Sequence, residues 1–297
     1  MTNKEYIIKI YKRKLLNLIS SMQYRMYTDE ELIKKQYKKN FKKEIDLYNP
    51  KTFNEKIQWL KLNDRKDFYS KLVDKYEVRS YVKEKIGETY LNPLYGVFNS
   101  IDEIDIEALP KQFVLKTTHD SGGVIVCKDK KKINWKLALK ELDVRLKQNY
   151  YYLSREYHYN AVKPRIICEN LLVDSKYDTP LDYKIFCFNG DPRYIQVDVD
   201  RFGNHKRNFY DIEWNQVEFT TCYEKSSEEV PKPDNLEEMV SCAKRLSENL
   251  KFSRVDFYSV NNKIIFGEIT FFPEGGASKF YPEKYDYELG KLLNLSE

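Results

Sequence analysis

Apolar residues recur at helical spacing in two segments near the start of the chain. In 5–22 they fall every three or four residues, and in 31–43 the same spacing returns, while lysines occupy positions between them. Both segments are therefore predicted to be basic amphipathic helices. Their apolar faces consist of Ile7, Tyr11, Leu15, Leu18 and Met22 in the first segment and Ile33, Tyr37 and Phe41 in the second.

Two more helices are predicted before residue 88. Thr52 and Glu55 form a capping box that begins a helix running through Leu60. The apolar stripe of 67–86 predicts one longer helix, and Gly87 is placed to end it in a left-handed conformation.

From residue 89 the pattern changes to short β-type runs that alternate with single helices, which is typical of an α/β or α+β enzyme domain. Turns are predicted at 190–192 and at Asn261-Asn262. Asn134 and Asp234 are expected to cap two of the helices. The predicted helices lie near 135–148, 235–250 and 284–294, and the predicted strands near 112–118, 123–128, 165–173, 182–189, 192–199, 207–212, 252–259 and 263–271.

The net charge of +5 is concentrated at one end of the chain. Residues 1–44 contain twelve basic and five acidic residues, whereas the remainder carries a net charge of −2. Two interpretations of the basic helices stand open: they cap a soluble helical bundle, or they rest on an anionic membrane surface. Because the remainder has no basic excess, a nucleic-acid-binding protein is not expected.

The cysteines and the hydropathy pattern bear on the compartment. The five cysteines form no Cys-x-x-Cys pair and mostly lie in apolar runs, which predicts reduced thiols in a core. No run approaches the roughly 18 apolar residues of a membrane-spanning helix, and no secretion signal is visible. We expect a cytoplasmic protein, peripheral at the inner face of the membrane if the basic helices bind lipid.

The first candidate for chemistry is a small polar loop, Ser121-Gly122-Gly123, between two apolar runs. Backbone N–H groups of such a loop can surround phosphate oxygens, and Lys116 lies near the end of the preceding run. Taken alone, an ordinary hairpin turn beside a solvated lysine is the simpler explanation, because glycine pairs are common in hairpins.

Charged residues inside apolar runs form the second candidate. Glu169 must lie at the end of its strand or accept hydrogen bonds, because an unpartnered buried carboxylate is costly. Asp182 and Lys184 lie on one face of their strand, since side chains alternate along a strand. In isolation, each strand is better explained as a sheet edge with one face in water.

The third and strongest candidate is a pair of carboxylates. In a hairpin that turns at Asn261-Asn262, Asp256 and Glu268 lie nearly opposite each other. Opposed like charges destabilise a sheet unless a cation or an arginine such as Arg254 compensates them. Carboxylate pairs of this kind hold Mg²⁺ against nucleotide phosphates.

The order of these motifs resembles that of the ATP-grasp superfamily. Three longer segments narrow the resemblance to its TupA-like branch, which is named for teichuronopeptide synthesis. The likeness extends from about residue 46 to the C-terminus. The segments are Asn49-Pro-Lys-Thr-Phe-Asn-Glu-Lys-Ile-Gln-Trp59, Leu109-Pro-x-x-Phe-Val-Leu-Lys116 and Asp182-Tyr-Lys-Ile-Phe-Cys-Phe-Asn-Gly190.

The resemblance implies an α+β, ATP-grasp fold in which two α+β subdomains clamp ATP, preceded by an N-terminal helical region. The expected boundaries are 1–66 for the basic helical region, 67–173 for the N-terminal subdomain and 174–297 for the C-terminal subdomain. The implied activity is ATP- and Mg²⁺-dependent ligation of a carboxylate to an amine through an acyl-phosphate. The branch suggests an amino acid joined to a uronic-acid-containing surface polysaccharide, such as a capsule, or to its precursor.

The resemblance also assigns roles to single residues. Arg254, Lys116 and Lys184 are the expected catalytic residues, and Arg254 is expected to stabilise the acyl-phosphate and the tetrahedral intermediate. Lys184 and Arg201 are expected to contact phosphate or substrate. The expected Mg²⁺ ligands are Asp256, Glu268 and Thr270, a weaker donor than the asparagine of most members. Nucleotide contacts are expected from Lys75, Lys116, the loop Ser121, Gly122 and Gly123, the hinge Glu169, Asn170, Leu171 and Leu172, and Asp182.

The alternative hypothesis is a metal-dependent glycosyltransferase. Asp198-Val199-Asp200 has the Asp-x-Asp form that holds a metal ion and a nucleotide sugar. This hypothesis leaves Lys116 and Glu268 unexplained, and the motif arises easily by chance in a chain with 46 acidic residues. The ligase is therefore the favoured prediction.

Overall fold

The computed structural model describes residues 2–175, 179–199, 204–227 and 229–296. The chain divides into two compact units. Unit 1 comprises Met1–Leu32, Arg65–Arg79 and Asn92–Leu171, and unit 2 comprises Ile33–Asp64, Ser80–Leu91 and Leu172–Glu297. The expected boundaries at 66 and 173 do not coincide with this division, because residues 1–66 contribute to both units. The extents of the two ATP-grasp subdomains stay a prediction.

The helices follow the predicted pattern with two corrections. The prediction of a single helix over 67–86 is wrong, because a short helix ends at Val73 and a second one begins at Val78. Between them, the Asp74 carboxylate accepts hydrogen bonds from the backbone N–H groups of Tyr76 and Glu77. The helix that begins at Leu236 is preceded by Asn235 at its N-cap position, where Asp234 was expected. The helices of the described residues are α1 (Asn3–Met26), α2 (Asp29–Phe41), α3 (Phe53–Asn63), α4 (Tyr69–Val73), α5 (Val78–Lys85), α6 (Trp135–Leu146), α7 (Tyr150–Ser154), α8 (Leu236–Leu246) and α9 (Lys284–Leu292).

All eight predicted strands are present, and the sequence missed three short ones. The hairpin turns have left-handed residues where expected, since Gly190 and both Asn261 and Asn262 have positive φ angles. The strands are β1 (Leu94–Phe98), β2 (Phe113–Thr117), β3 (Val124–Cys127), β4 (Ile166–Asn170), β5 (Asp182–Phe188), β6 (Asp191–Val199), β7 (Lys206–Asp211), β8 (Thr220–Thr221), β9 (Phe252–Val260), β10 (Lys263–Thr270) and β11 (Phe280–Tyr281).

Unit 1 is built on an antiparallel sheet with the strand order β1-β4-β2-β3. α6 packs on this sheet, and α1 packs on α6 and α7. Tyr6 of α1 is buried in the same core as Phe113 and Leu115 of β2 and Leu142 of α6. The first basic helix is therefore an integral part of unit 1, and one of its faces contributes to the core.

Unit 2 is built on an antiparallel sheet with the order β10-β9-β5-β6-β7, in which β5 is central. α8 covers one face of this sheet, where Ile185, Val197 and Phe257 are fully buried. Because side chains alternate, the charged residues of β5 and β9 share the opposite face. The sheet-edge interpretation is wrong for both β4 and β5, since each has a strand on either side.

The rest of unit 2 joins its helices to the C-terminus. Asn54 of α3 donates hydrogen bonds from its backbone and side-chain nitrogens to the buried carboxylate of Asp286 in α9, both at 2.9 Å. Ile33 and Tyr37 of α2 are buried with Ile45 in a small core of their own.

All five cysteines are free; four are buried and Cys222 is exposed. Among the described helices, none combines the length and apolar character needed to cross a bilayer.

Candidate functional site

The charged face of the unit 2 sheet brings together the predicted residues of β5, β9 and β10. Asp256 is the direct neighbour of both Lys184 and Glu268 in the register of the sheet. Arg254 pairs with Thr270 in the adjacent row. Since neighbouring residues in register point to the same face, these side chains form one continuous polar cluster. We call Asp182, Lys184, Arg254, Asp256 and Glu268 the unit 2 cluster.

A β-bulge at Gly267 sets the register that opposes the two carboxylates. Phe266 pairs with Phe257, but Glu268 pairs with Asp256, so Gly267 is an extra residue in β10. A Cβ atom at Gly267 would lie 3.0 Å from the carbonyl oxygen of Asp256, which leaves little room for any other residue. The predicted pairing of Asp256 with Glu268 is confirmed.

Arginine and lysine compensate the buried carboxylates. The Arg254 guanidinium donates two hydrogen bonds of 2.7 Å to Asp256, one to each oxygen, and lies 3.4 Å from Glu268 Oε1. Lys184 Nζ donates to Asp182 and, at 3.2 Å, to Asp256 Oδ2. Burial by itself lowers the pKa of Arg254 and of Lys184, but the charge of Asp256, and for Lys184 also that of Asp182, outweighs it and raises both pKa values. Both residues therefore stay cationic.

The donor set of this cluster fits a Mg²⁺ ion that is bound together with phosphates. Among the described residues, no group of three or more histidine, cysteine and acidic side chains is arranged to hold a metal. Mg²⁺, however, is typically bound through one or two carboxylates with phosphate and water oxygens. Asp256, Glu268 and the Thr270 hydroxyl supply such a set, and the Glu268 side chain is 45 % exposed, so phosphate and water can reach it. Their role as metal ligands stays a prediction.

In unit 1, Glu169 accepts from two cations, as its position inside a strand requires. Lys116 Nζ lies 2.7 Å from Glu169 Oε2, and Arg79 Nη1 lies 3.2 Å from Glu169 Oε1. The solvated-lysine interpretation is wrong, because Lys116 is ion-paired and its side chain is only 26 % exposed. We call Arg79, Lys116 and Glu169 the unit 1 cluster. Two cations share one carboxylate there.

The glycine loop connects β2 and β3 and is braced from within unit 1. Buried Asp120 accepts hydrogen bonds from Thr117 Oγ1 and, at 2.6 Å, from Arg145 Nη1. Lys75 Nζ donates to the carbonyl oxygen of Asp120 at 2.6 Å. The loop's conformation is therefore set by Asp120, whose side chain and backbone both carry bonds.

The two glycines of the loop are required for different reasons. Gly122 has a φ angle of 81°, which favours glycine, while a Cβ atom there would lie 3.9 Å from Arg145 Nη2, an ordinary contact distance. Gly123 has no room for a side chain, since a Cβ atom there would lie 1.7 Å from Thr117 Oγ1. Ser121 and Gly122 are exposed at the tip of the loop. Their predicted contact with phosphate fits this exposure and stays a prediction.

His119 serves the structure of the loop. Its Nε2 atom lies 3.0 Å from the carbonyl oxygen of Arg145, and the side chain is buried. Desolvation lowers the pKa of His119, so the imidazole is neutral near pH 7. Although His119 lies in a polar loop, its side chain is therefore not solvated.

The predicted adenine hinge lies where the chain passes from unit 1 to unit 2, between Leu171 and Leu172. Asn170 at the end of β4 donates its backbone N–H to Pro93 O at 3.0 Å and accepts from Asn92 Nδ2 at 2.8 Å. No hydrogen bond joins the backbone of Leu171 or Leu172 to another described residue. The role of these two residues in binding adenine stays a prediction.

The structure gives Asp198, one half of the alternative Asp-x-Asp motif, a structural partner. Its Oδ1 atom accepts from Arg207 Nε at 2.7 Å, and the side chain is buried. Burial raises the pKa of Asp198, but the charge and hydrogen bond of Arg207 outweigh it and lower the pKa to about 2. Asp200, the other half of the motif, and Arg201 lie outside the described residues.

Sequence reasoning missed the residues that support the candidate site. Arg145 is buried and bridges Asp120 and Glu141, which lies one helical turn before it at 2.7 Å. The i, i+4 spacing of Glu141 and Arg145 on a predicted helix was a signal of such a pair. Arg207 gave no comparable signal, because its partner Asp198 lies on a different strand.

Comparisons with known proteins place the chain in a family. No curated protein matches it. Solved structures that it resembles include D-alanine–D-alanine ligases from Bacillus anthracis, complexed with ATP (13 % identity, TM-score 0.38, 67 % of this chain and 53 % of that one), and from Helicobacter pylori (15 %, 0.42, 76 % and 60 %). Another is an ADP complex of N5-carboxyaminoimidazole ribonucleotide synthetase (13 %, 0.40, 73 % and 50 %).

The chain spans between a half and three fifths of the length of these structures, and similarities this low carry no functional information. The family model described as TupA-like ATPgrasp matches residues 55–294, or 240 of the 297 residues. The chain therefore has the predicted ATP-grasp fold and belongs to the TupA-like ATP-grasp family.

Proposed function

We propose that this chain is an ATP-dependent ligase that joins a carboxylate to an amine through an acyl-phosphate, with Mg²⁺ as its metal ion. The observation that carries the proposal is the charge of the two clusters. Two cations share one carboxylate in unit 1, whereas three carboxylates share two cations in unit 2. An excess of cations suits the phosphates of ATP, and an excess of carboxylates suits a divalent cation. Membership in an ATP-grasp family supports this division of roles.

The proposed residue roles keep the sequence assignments. Lys75, Lys116 and the loop Ser121, Gly122 and Gly123 bind the phosphates of ATP. The backbone of Glu169, Asn170, Leu171 and Leu172 binds adenine, and Asp182 binds the ribose or a nearby group. Asp256, Glu268 and Thr270 hold Mg²⁺, which neutralises phosphate charge when bound. Arg254 and Lys184 act on the transferred phosphoryl group and the acyl centre.

The reaction has two steps that these residues can assist. In the first, a carboxylate oxygen of the substrate bonds to the γ-phosphorus while the bond to the ADP oxygen breaks. In the second, the amine attacks the acyl carbon, phosphate leaves with the bonding electrons, and the amine loses a proton to a carboxylate or to water. Arg254 stays cationic because Asp256 raises its pKa, so it can stabilise negative charge in both steps. No serine or cysteine nucleophile is needed.

A basic cleft in unit 2 supports an anionic acceptor. Its volume is about 520 Å³, and the described residues that line it include Lys39, Lys42 and Lys279 but no acidic residue. Three lysines without a neighbouring acid in the lining favour a negatively charged ligand. We propose that the acceptor is a uronic-acid-containing glycan of a surface polysaccharide such as a capsule, or its precursor, and that the donor is an amino acid.

We also propose that the enzyme works in the cytoplasm and contacts the inner face of the membrane through 1–44. The glycosyltransferase alternative is weaker, because the buried Asp198 carboxylate already accepts a 2.7 Å hydrogen bond from Arg207 Nε.

Turnover of ATP in the presence of both substrates tests the ligase proposal. Purified protein with Mg²⁺ and ATP is expected to release ADP and phosphate only when a carboxylate and an amine are both present. Lys116→Ala and Glu268→Ala are each expected to reduce this release by about 100-fold or more. Lys111→Ala and Glu213→Ala, at exposed positions of the same units, serve as matched controls and retain turnover.

One pattern of results contradicts the ligase. If ADP release survives in both Lys116→Ala and Glu268→Ala but is lost in Asp200→Ala, the proposed roles of the two clusters are wrong and the Asp-x-Asp motif is required for the activity instead. Mass spectrometry of the product then identifies the substrates: an amide between an amino acid and a uronic acid supports the proposed acceptor, and any other linkage excludes it.

A further inference from the structure

Helix α1 has an inner face that packs against unit 1 and an opposite, apolar face that is exposed. On the inner face, Tyr6 is buried in the core, Arg13 Nη1 donates to Gln148 Oε1 at 3.1 Å, and Asn17 Nδ2 donates to Val144 O at 3.4 Å. Ile10 and Ser20 are buried on the same side. These contacts fix the rotation of the helix about its axis, so its opposite face points to solvent.

The outward face of α1 carries large apolar side chains along the whole helix. At 100° per residue, these positions fall within one stripe centred on Leu15. Their side chains are between 42 % and 69 % exposed, which is unusual for so many large apolar residues on one helix. We call them the outer stripe: Ile8, Tyr11, Leu15, Leu18, Met22 and Met26.

The second basic helix, α2, has a similar apolar face, but this face is buried in a core. In α2, Ile33 and Tyr37 are each only 1 % exposed and pack with Ile45. The apolar positions of α2 therefore need no further partner. The outer stripe of α1 has the same spacing in the sequence but is not covered by any core of the described residues.

The charges around the outer stripe indicate what covers it. α1 contains six basic residues and one acidic residue. Lys12 and Lys14 lie on opposite sides of the Leu15 position, and both are exposed. A second copy of the helix would bring like charges together, whereas anionic lipid headgroups complement them. A helix with an apolar face flanked by lysines is suited to lie in the plane of a bilayer interface.

We propose that the outer stripe of α1 is a docking surface for an anionic bilayer. The apolar side chains of the stripe enter the boundary between headgroups and acyl chains, and Lys12 and Lys14 contact anionic headgroups. This inference specifies the helix and the face behind the proposed membrane contact of 1–44, and it excludes α2 as the lipid-binding element. It lies outside the family match, which begins at residue 55, and it does not depend on the ligase chemistry.

Vesicle co-sedimentation of the full chain tests this surface. The protein is expected to bind vesicles containing about 30 % phosphatidylglycerol, to bind pure phosphatidylcholine vesicles much more weakly, and to be released by about 0.5 M salt. Leu15→Ser/Leu18→Ser/Met22→Ser is expected to weaken binding at least 10-fold. Lys12→Gln/Lys14→Gln is expected to weaken it several-fold, whereas the matched control Lys34→Gln/Lys35→Gln on α2 keeps wild-type binding.

Two further measurements separate the possible outcomes. All replaced residues are exposed, so thermal unfolding and ADP release of the variants should match the wild type, and a loss of vesicle binding then belongs to the surface. Equal vesicle binding by the wild type and the triple-serine variant overturns the proposal. So does a wild-type dimer in light scattering that the triple-serine variant loses while neither protein binds vesicles. Because ADP release is measured separately, failure of the membrane proposal is distinct from failure of the ligase.

Discussion

The two charge clusters differ in how their buried charges are balanced by residues of opposite charge. In unit 1, Lys116 and Arg79 both reach Glu169, and the Lys116 side chain keeps about a quarter of its surface in solvent. In unit 2, Arg254 and Lys184 are buried together with Asp256 and Asp182. Cations are in excess in the first cluster and carboxylates in the second. We therefore expect the first cluster to favour anions and the second cluster to favour cations.

Burial also determines how much each cluster depends on its own pairs. Removing one partner from a buried pair leaves an uncompensated charge in a low-dielectric environment, which costs several kcal/mol. Removing Lys116 from the unit 1 cluster costs less, because Lys116 is partly exposed to water and Glu169 keeps a second cation in Arg79. The unit 2 cluster is therefore expected to be more sensitive to substitution than the unit 1 cluster.

Arg254→Met is expected to have the largest effect on stability. It removes the two hydrogen bonds to Asp256 and leaves that carboxylate with Lys184 alone, so the free energy of unfolding should fall by about 3 kcal/mol or more. Lys116→Met should cost about 1 kcal/mol or less, because Glu169 keeps Arg79. Urea unfolding of both variants beside the wild type measures the difference. Equal losses in the free energy of unfolding would show that the unit 2 cluster is not more sensitive to substitution than the unit 1 cluster.

Stability at acidic pH should depend on Asp198 in unit 2. Its pKa is lowered from 3.8 to about 2 on folding, so it stabilises the folded state above pH 4, and this contribution disappears as the pH falls from about 4 to about 2. The shift corresponds to about 2 kcal/mol. Urea unfolding at pH 7, 4 and 3 measures it. From pH 7 to pH 3, the wild type should lose more stability than Asp198→Asn, because the variant has no carboxyl group to protonate at this position. Equal losses of stability in the two proteins would rule out a lowered pKa of Asp198.

Gly122→Ala should have a smaller effect, confined to unit 1. The φ angle of 81° strains a residue with a Cβ atom, whereas the added atom would lie at an ordinary contact distance of 3.9 Å from Arg145 Nη2, so a loss of about 1 kcal/mol is expected. The matched control is Ser121→Ala, the exposed neighbour, which should leave the free energy of unfolding unchanged within about 0.5 kcal/mol. Thermal unfolding of both variants checks the contrast. A Gly122→Ala variant as stable as the wild type would show that the loop relaxes without strain.

Much of the site could be predicted because it is local in the sequence. A two-residue turn at Asn261-Asn262 determines the hairpin register closely enough to oppose Asp256 and Glu268, and strand alternation places Asp182 and Lys184 together. The order of motifs identified the family, which the match over 55–294 confirms.

The supporting residues could not be predicted in the same way. Arg145 reaches Asp120 across 25 positions of the chain, and Arg207 reaches Asp198 from another strand. The break at Asp74 was also missed, since the apolar stripe continues through it and only the carboxylate's bonds to the backbone reveal it. Each of these features depends on a specific hydrogen-bond partner of a side chain, and the spacing of apolar residues carries no information about such partners.

The two basic helices, α1 and α2, show which of their properties the sequence determined and which the tertiary structure decided. The sequence by itself determined that α1 and α2 form, that each has an apolar face, and that lysines surround these faces, because helical periodicity and capping are local properties. Only the tertiary structure decided that α2 buries Ile33 and Tyr37, while α1 buries Tyr6 and Ile10 and leaves its outer stripe exposed. The physical reason is that burial requires a partner surface, and the partner is built from residues far away in the chain.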